Sequence, residues 1–389
     1  MDLESEDNQK TVHRVALITS EHTYSQYPVF LRHLLVGLAD ESVPVALVCP
    51  QSCNVDSLLI GAVEIIRYPV LELPFAGHFN NKFLIEKLMK FKPSILHCLC
   101  ESRFEVTKLL AWRLNLPYVL TVNALHKRFS LSGNFGTKLP ISEVHCKKIM
   151  VPSASIADNI MKLYPHLADI VQHVNRGTFT STKTSCFLQP SDFTTIVIAY
   201  PARYSDVIEN IFNSIRHLRI DGYEFMIFLV SSDSLFPKDS FFTKRSNFVP
   251  MASKTEKKLW KLLNALDLAQ QATMVPMQIP ASYVLSSGDI FIYPGPNYVF
   301  NSLLLEAMST GTAVIASKGG VDDMIIADET AVILETIDEP GIMRTMQRLL
   351  DRPEFARQLA RNAQHYVRKN HSVSNMIAQI LQIYNEAAG

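Results

Sequence analysis

The stretch DIFIYPGPNYVFNSLLLEAMSTGTAVIASKGG, residues 289–320, decides the fold. It opens with an apolar run, 289–293, that stops at Pro294-Gly295 and so reads as a buried strand entering a turn. A loop carrying Phe300-Asn301-Ser302 leads into a helical run over 302–309, and Gly311 turns the chain into a second apolar strand, 312–316. Strand, helix, strand is the doubly wound unit, because a parallel crossover needs a connection about as long as a helix. The start of such a helix leaves backbone N–H groups facing outward, where orphan amides and the helix dipole favour an anion such as phosphate. Glu306, one turn inside, is positioned to accept hydrogen bonds from the vicinal hydroxyls of a ribose or sugar.

Outward from this segment the same alternation continues in both directions. Toward the N-terminus the spacing predicts strands at 14–19, 44–49, 62–68, 94–98, 117–122 and 147–151, with helices at 27–39, 82–91 and 104–114. A polar Ser/Thr-rich stretch, 178–193, interrupts the series. It restarts with strand 194–200, helix 206–219, strand 224–230 and helix 255–266. The expected fold class is therefore α/β: two Rossmann-like doubly wound domains, 14–185 and 186–368, facing a cleft. Ligands in such sheets bind beyond the carboxyl ends of the strands, so function is expected in that cleft. The tail is helical over 353–369 and 372–387, with a break at Asn370-His371-Ser372 where Ser372 can cap the last helix.

Composition narrows the classes further. A chain of 389 residues is too long for one small domain, and 48% hydrophobic with 19% charged residues is the balance of an ordinary globular protein. Thirty-seven basic and 37 acidic side chains cancel, so no global field draws the chain to nucleic acid. The six cysteines lack C-x-x-C spacing and read as thiols in a reducing compartment, with no metal centre. Residues 1–13, MDLESEDNQKTVH, are acidic and polar, unlike a signal peptide, and read as a disordered tail. No run of about 18 apolar residues is present, so a cytoplasmic location is expected. One segment, NKFLIEKLMKFKP (81–93), alternates lysines with large apolar residues. It reads either as an ordinary amphipathic helix or as a peripheral contact with the inner surface of a membrane.

The segments FNSLLLEAM, TGTAVIAS and GGVDDMI of 300–325 resemble the loop-helix-strand pattern of the retaining GT-B glycosyltransferases, the group that includes sucrose-, glycogen- and mannosyl-lipid-synthesising enzymes. LHCLCES, PYVLTVNALH, KKIMVPSASIADNIMKLYP and LLNALDLAQQATMVPMQIP extend the resemblance weakly over nearly the whole chain. It implies a hexosyltransferase that moves a sugar, with retention and without a cofactor or metal, from a nucleotide-diphosphate sugar to a glycan, lipid-linked or protein acceptor. It also implies that the terminal segment 369–389 packs back on the N-terminal domain. On the family's pattern Glu306 would hold the donor ribose, Asn301, Ser302 and Leu303 would offer amides to the diphosphate, and Val275 to Met277 would lie near the base.

The chain departs from that pattern at several functional positions. The family places an Arg and a Lys after the first strand of the donor domain. Here YPARYSDVIENIF (200–212) puts Asp206 at the lysine position and leaves Arg203 as the nearby cation. Tyr298 replaces a Glu and is a candidate to stack on the sugar. Asn123 replaces the N-domain His, with His126 three residues later as a substitute, and the first loop, SEHTYSQYP (20–28), contains no Gly. Two expectations follow. One is a transferase with Arg203, His126 and Asn123 as its catalytic candidates. The other is a catalytically degenerate relative that serves as a binding or scaffold partner of a glycosyltransferase.

Overall fold

A computed structural model describes residues 13–53, 63–69, 76–123, 145–187, 193–200, 206–232, 254–276, 281–295, 300, 302–317, 323–336 and 338–388. The chain divides into two compact units, Met1–Asn175 together with Val373–Gly389, and Arg176–Ser372.

The first unit runs β1 (Val15–Ile18), α1 (Glu21–Gln26), α2 (Pro28–Asp40), β2 (Val45–Pro50), β3 (Val63–Tyr68), α3 (Ala76–Phe91), β4 (Ile95–Cys98), α4 (Phe104–Leu114), β5 (Tyr118–Thr121), β6 (Cys146–Val151), α5 (Ala154–Leu163) and β7 (Val171–His173). These strands form one parallel sheet in the order β3-β2-β1-β4-β5-β6-β7. The central strands are apolar on both faces because helices cover both, and β1, β2 and β4 are buried at every position.

The second unit runs β8 (Thr194–Tyr200), α6 (Asp206–Ile220), β9 (Phe225–Ser231), α7 (Lys254–Ala265), β10 (Ala272–Met274), α8 (Ala281–Leu285), β11 (Ile290–Tyr293), α9 (Ser302–Thr310), β12 (Ala313–Ser317), β13 (Val332–Leu334), α10 (Glu339–Asp351) and α11 (Pro353–Asn370). Its parallel sheet has the order β10-β9-β8-β11-β12-β13.

The last helix, α12 (Val373–Ala388), returns to the first unit. Met376, Ile377, Ile380, Ile383 and Tyr384 recur at helical spacing and are all buried in the core formed with α2 and the sheet. Gly37 lets α2 and α12 cross closely, since a Cβ there would overlap the Ile377 side chain. Tyr384 also donates or accepts at His97 Nδ1 (2.7 Å), while His97 Nε2 meets Thr121 Oγ1 (2.8 Å), so the helix is tied to β4 and β5.

The observed elements differ from the sequence expectations in specific ways. The unit boundary falls at Asn175/Arg176, ten residues before the expected 185/186. The polar stretch after it is stitched to the second unit through Ser181 N–H to Ser309 O (3.0 Å), Ser185 N–H to Thr310 O (3.1 Å) and Cys186 N–H to Gly311 O (2.9 Å). The loop expected at 20–28 contains α1, begun by Ser20, whose Oγ accepts the Thr23 N–H at 3.1 Å. In α3, Leu84, Leu88 and Phe91 face the core, while Lys82, Lys87 and Lys90 are exposed beside the partly exposed Phe83 and Met89. The six cysteines are free and buried. Among the described residues no helix is long and apolar enough to cross a membrane, and no group of His, Cys, Asp and Glu is arranged to hold a metal.

Candidate functional site

In the second unit the winding reverses between the neighbouring strands β8 and β11, which is where a doubly wound sheet opens a crevice at its carboxyl ends. Helix α9 starts beyond the end of β11 and is buried from Leu303 to Thr310. Its first-turn amides have no carbonyl behind them within the helix, so this end carries positive partial charge. Ser302 is the first helical residue and Leu303 the second, both of them residues expected at an anion.

Glu306 lies one turn further along the same face and is 5% exposed. Burial pushes its carboxyl up to about 7, against the opposing pull of the Ser302 hydroxyl and the Ser282 backbone at the start of α8. One carboxyl oxygen, Oε2, is buried without a hydrogen-bond partner. So is the hydroxyl of Ser317, the last residue of β12. A buried acceptor left unsatisfied costs about 1–3 kcal/mol. Two such atoms on adjacent elements at one end of the sheet match a site whose hydrogen bonds are completed by a ligand rich in hydroxyls.

The far end of α9 is rigidly held. Gln364 on α11 donates through Nε2 to Ser181 O (2.9 Å), Lys183 O (3.0 Å) and Ser309 O (3.3 Å). Gly311 adopts φ +77°, and a Cβ there would sit 2.8 Å from Thr184 Cα, so no other residue fits this turn without displacement. Asp289 accepts from Phe187 N–H (2.7 Å) and Thr195 N–H (2.8 Å), binding the entry of the unit to the foot of β8 and β11. Its carboxyl is raised by burial, with those two hydrogen bonds opposing.

A residue that the sequence reading missed stands at the mouth of α9. Arg176 is 4% exposed, and its guanidinium lies 5.8 Å from the centre of the Phe300 ring, two residues before the helix starts. Its backbone carbonyl meets His371 Nδ1 at 3.0 Å, and the neighbouring Thr178 N–H donates to His371 O at 2.8 Å. The sequence signal was a lone arginine before Gly177, just ahead of the polar stretch 178–193, with nothing local to relate it to Phe300.

The remaining candidates fall as follows. Asp206 is the exposed first residue of α6, where a carboxylate complements the helix dipole. Val275 is buried just past β10, its N–H donating to Leu229 O (2.9 Å). In the first unit Asn123 is 3% exposed. Its N–H donates to Glu101 Oε1 (2.6 Å) and its Nδ2 to Leu99 O (3.3 Å), which joins the end of β5 to the end of β4. Arg203, His126, Met277, Tyr298 and Asn301 lie outside the described residues. The geometry thus brings together Ser302, Leu303, Glu306, Arg176 and Phe300 around one helix.

Residues 252–366 match the model of the family described as Glycosyl transferases group 1. The D-inositol 3-phosphate glycosyltransferase of Salinispora tropica is 30% identical over 134 residues, 33% of this chain and 27% of that protein, so the match spans about a quarter of the relative's length. A glycosyltransferase from Rickettsia africae superposes with a TM-score of 0.74 at 15% identity, covering 97% of this chain and 99% of the other. Anabaena Alr3699/HepE, solved in complex with UDP and glucose, superposes with a TM-score of 0.73 at 11% identity, covering 96% and 99%. At these identities the structural likeness speaks for the fold.

Proposed function

The chain has the fold of the GT-B glycosyltransferases and carries a group 1 glycosyl transferase segment at 252–366, and from that premise we propose that it transfers a sugar from a nucleotide-diphosphate sugar to an acceptor in glycan or glycoconjugate assembly. The observation that carries this reading is Glu306: enclosed, weakly acidic, and with Oε2 lacking a partner. Donor ribose hydroxyls satisfy that oxygen. The diphosphate takes the amides of Ser302 and Leu303, and Arg176 supplies the cation that Asp206 at the expected lysine position does not.

The chemistry asks for this arrangement. As the bond between the sugar's anomeric carbon and the diphosphate breaks, charge builds on the leaving phosphate, and preorganised donors aimed at that charge usually lower the barrier more than any other single effect. Helix amides and a buried guanidinium cost no reorganisation at that moment. The proposed reaction retains anomeric configuration and gives a metal no role. The alternative of a degenerate scaffold partner draws no support from the relatives, which are named as transferases.

Calorimetric titration with UDP, GDP and ADP tests the reading, with UDP first because HepE was solved with it. One diphosphate is expected to bind. Glu306→Ala should weaken it about tenfold, the loss of hydrogen bonds worth on the order of 1 kcal/mol each. Arg176→Gln should weaken it about 10- to 100-fold, as for a charge-assisted contact. Failure of all three nucleotides to bind a folded protein would refute the proposal.

A further inference from the structure

The first unit has its own switch point, between β1 and β4, and a charged group stands over it that the donor site does not use. Arg103 follows β4, in the turn before α4. Its guanidinium lies 5.3 Å over the ring of Tyr68, the last residue of β3. Tyr68 in turn reaches across β2 to donate its hydroxyl to Thr19 O, just past β1, at 3.2 Å. The arginine and the tyrosine therefore close over the carboxyl ends of β1 and β2 from opposite sides.

Several of the groups around this cation are uncharged thiols and a phenol. Burial pushes the Cys49 thiol up to about 11 and the Cys53 thiol up to about 12, and it raises the Tyr68 hydroxyl as well. Arg67 adds positive charge to the field at both thiols, beside that of Arg103 at Cys53. Of the acids nearby, Glu21 is exposed at the start of α1, and Glu101 uses Oε1 on the Asn123 N–H. Arg103 Nε is itself buried with no hydrogen-bond partner, and among the described residues the guanidinium forms no ion pair. A guanidinium presents five donors in a planar fork that matches an oxyanion, and Arg103 is half-buried, with Nε enclosed and unpaired.

We propose that Arg103, at the switch point of the first unit, binds a phosphate group carried by the acceptor. The proposal rests on the transferase reading for the word acceptor; the phosphate site itself does not. It makes the substrate a phosphorylated one, its phosphate held by a residue of the first unit and not by those offered to the donor diphosphate. That group belongs either to a soluble sugar phosphate or to the headgroup of a phospholipid.

The test is titration of the full chain, with saturating UDP present, against glucose 6-phosphate, inorganic phosphate, and phosphatidylcholine vesicles with and without phosphatidylglycerol. Glucose 6-phosphate is expected to bind, and Arg103→Gln to weaken it about 10- to 100-fold while UDP affinity stays unchanged. Arg103→Lys, which keeps the charge and the aliphatic stem but loses the fork, should lie between the two, and it carries the test if the glutamine variant does not fold. Binding confined to phosphatidylglycerol vesicles and lost in the same variants would assign the phosphate to a lipid headgroup. Binding of no probe, equal binding to wild type and both variants, or phosphate binding lost in Arg176→Gln and kept in Arg103→Gln would overturn the proposal. A protein that binds glucose 6-phosphate through Arg103 but no nucleotide would keep this site and lose the transferase reading.

Discussion

Replacing Glu306 by glutamine removes a charge that the folded chain otherwise has to bury at neutral pH. Burial raises its carboxyl from the ordinary 4.5 to about 7, so between these values the folded state holds a proton that the unfolded state has released. The stability associated with the neutral acid is fully present below about pH 4.5 and is lost as pH rises through 7. At 1.36 kcal/mol per pH unit, the loss is about 3 kcal/mol. The glutamine variant has no such titration. Its stability relative to wild type should therefore climb by about 3 kcal/mol between pH 4.5 and 8, whatever the fixed cost of the amide. For a unit of this size that corresponds to a melting-temperature difference of about 6–12 °C. Trp260, on α7 of the same unit and packed against its core, reports unfolding once Trp112 of the other unit is changed to Phe. Melting curves of variant and wild type that stay parallel from pH 5 to pH 8 would refute the reasoning.

Three further outcomes follow from the same geometry. Ribose hydroxyls favour the ionised carboxylate, so UDP binding near pH 6.5 should release a fraction of a proton, read from calorimetric enthalpies in buffers of different ionisation enthalpy and abolished in Glu306→Gln. Asp206→Lys should strengthen UDP binding in a manner that added salt reduces, while costing up to about 1 kcal/mol of stability because a cation replaces an acid at the start of α6; both are measurable by titration and urea unfolding. Gly311→Ala should destabilise the second unit by about 2 kcal/mol or more, seen as a lower urea midpoint, since it forces a Cβ onto Thr184 at a positive φ.

Much of the fold is legible in the sequence because the central strands are short apolar runs between helical periods: 94–98 against the observed Ile95–Cys98, 194–200 against Thr194–Tyr200. The omissions have physical causes. β7, β10 and β13 are three-residue strands toward the sheet edges, too short for a pattern and paired on few positions. Helix α10 is absent from the expected elements although Asp338 caps it at Gly341 N–H (2.8 Å) and Pro340 opens it, both of them readable signals. In the candidate site, the position of Glu306 on its helix is readable from spacing. Its enclosure and its unpartnered oxygen are not, because both depend on α8 and β12 packing around it. Arg176 and Arg103 acquire meaning only through Phe300 and Tyr68, rings brought to them by tertiary structure.

The return of α12 to the first unit has a consequence for how the chain is made. Synthesis runs from the N-terminus, and domains ordinarily fold in that order as they emerge. Here the first sheet leaves the ribosome without the helix that contributes Ile377, Ile380 and Tyr384 to its core, and those residues follow only after all of Arg176–Ser372 has been made. The second unit, whose ends meet where Thr178 pairs with Ser372, has its complete set of elements first. The order of maturation is thus the reverse of the order of translation. A nascent chain stopped short of residue 373 should hold a finished second unit beside a first unit with an open apolar groove along α2, a state in which a chaperone has a defined surface to cover.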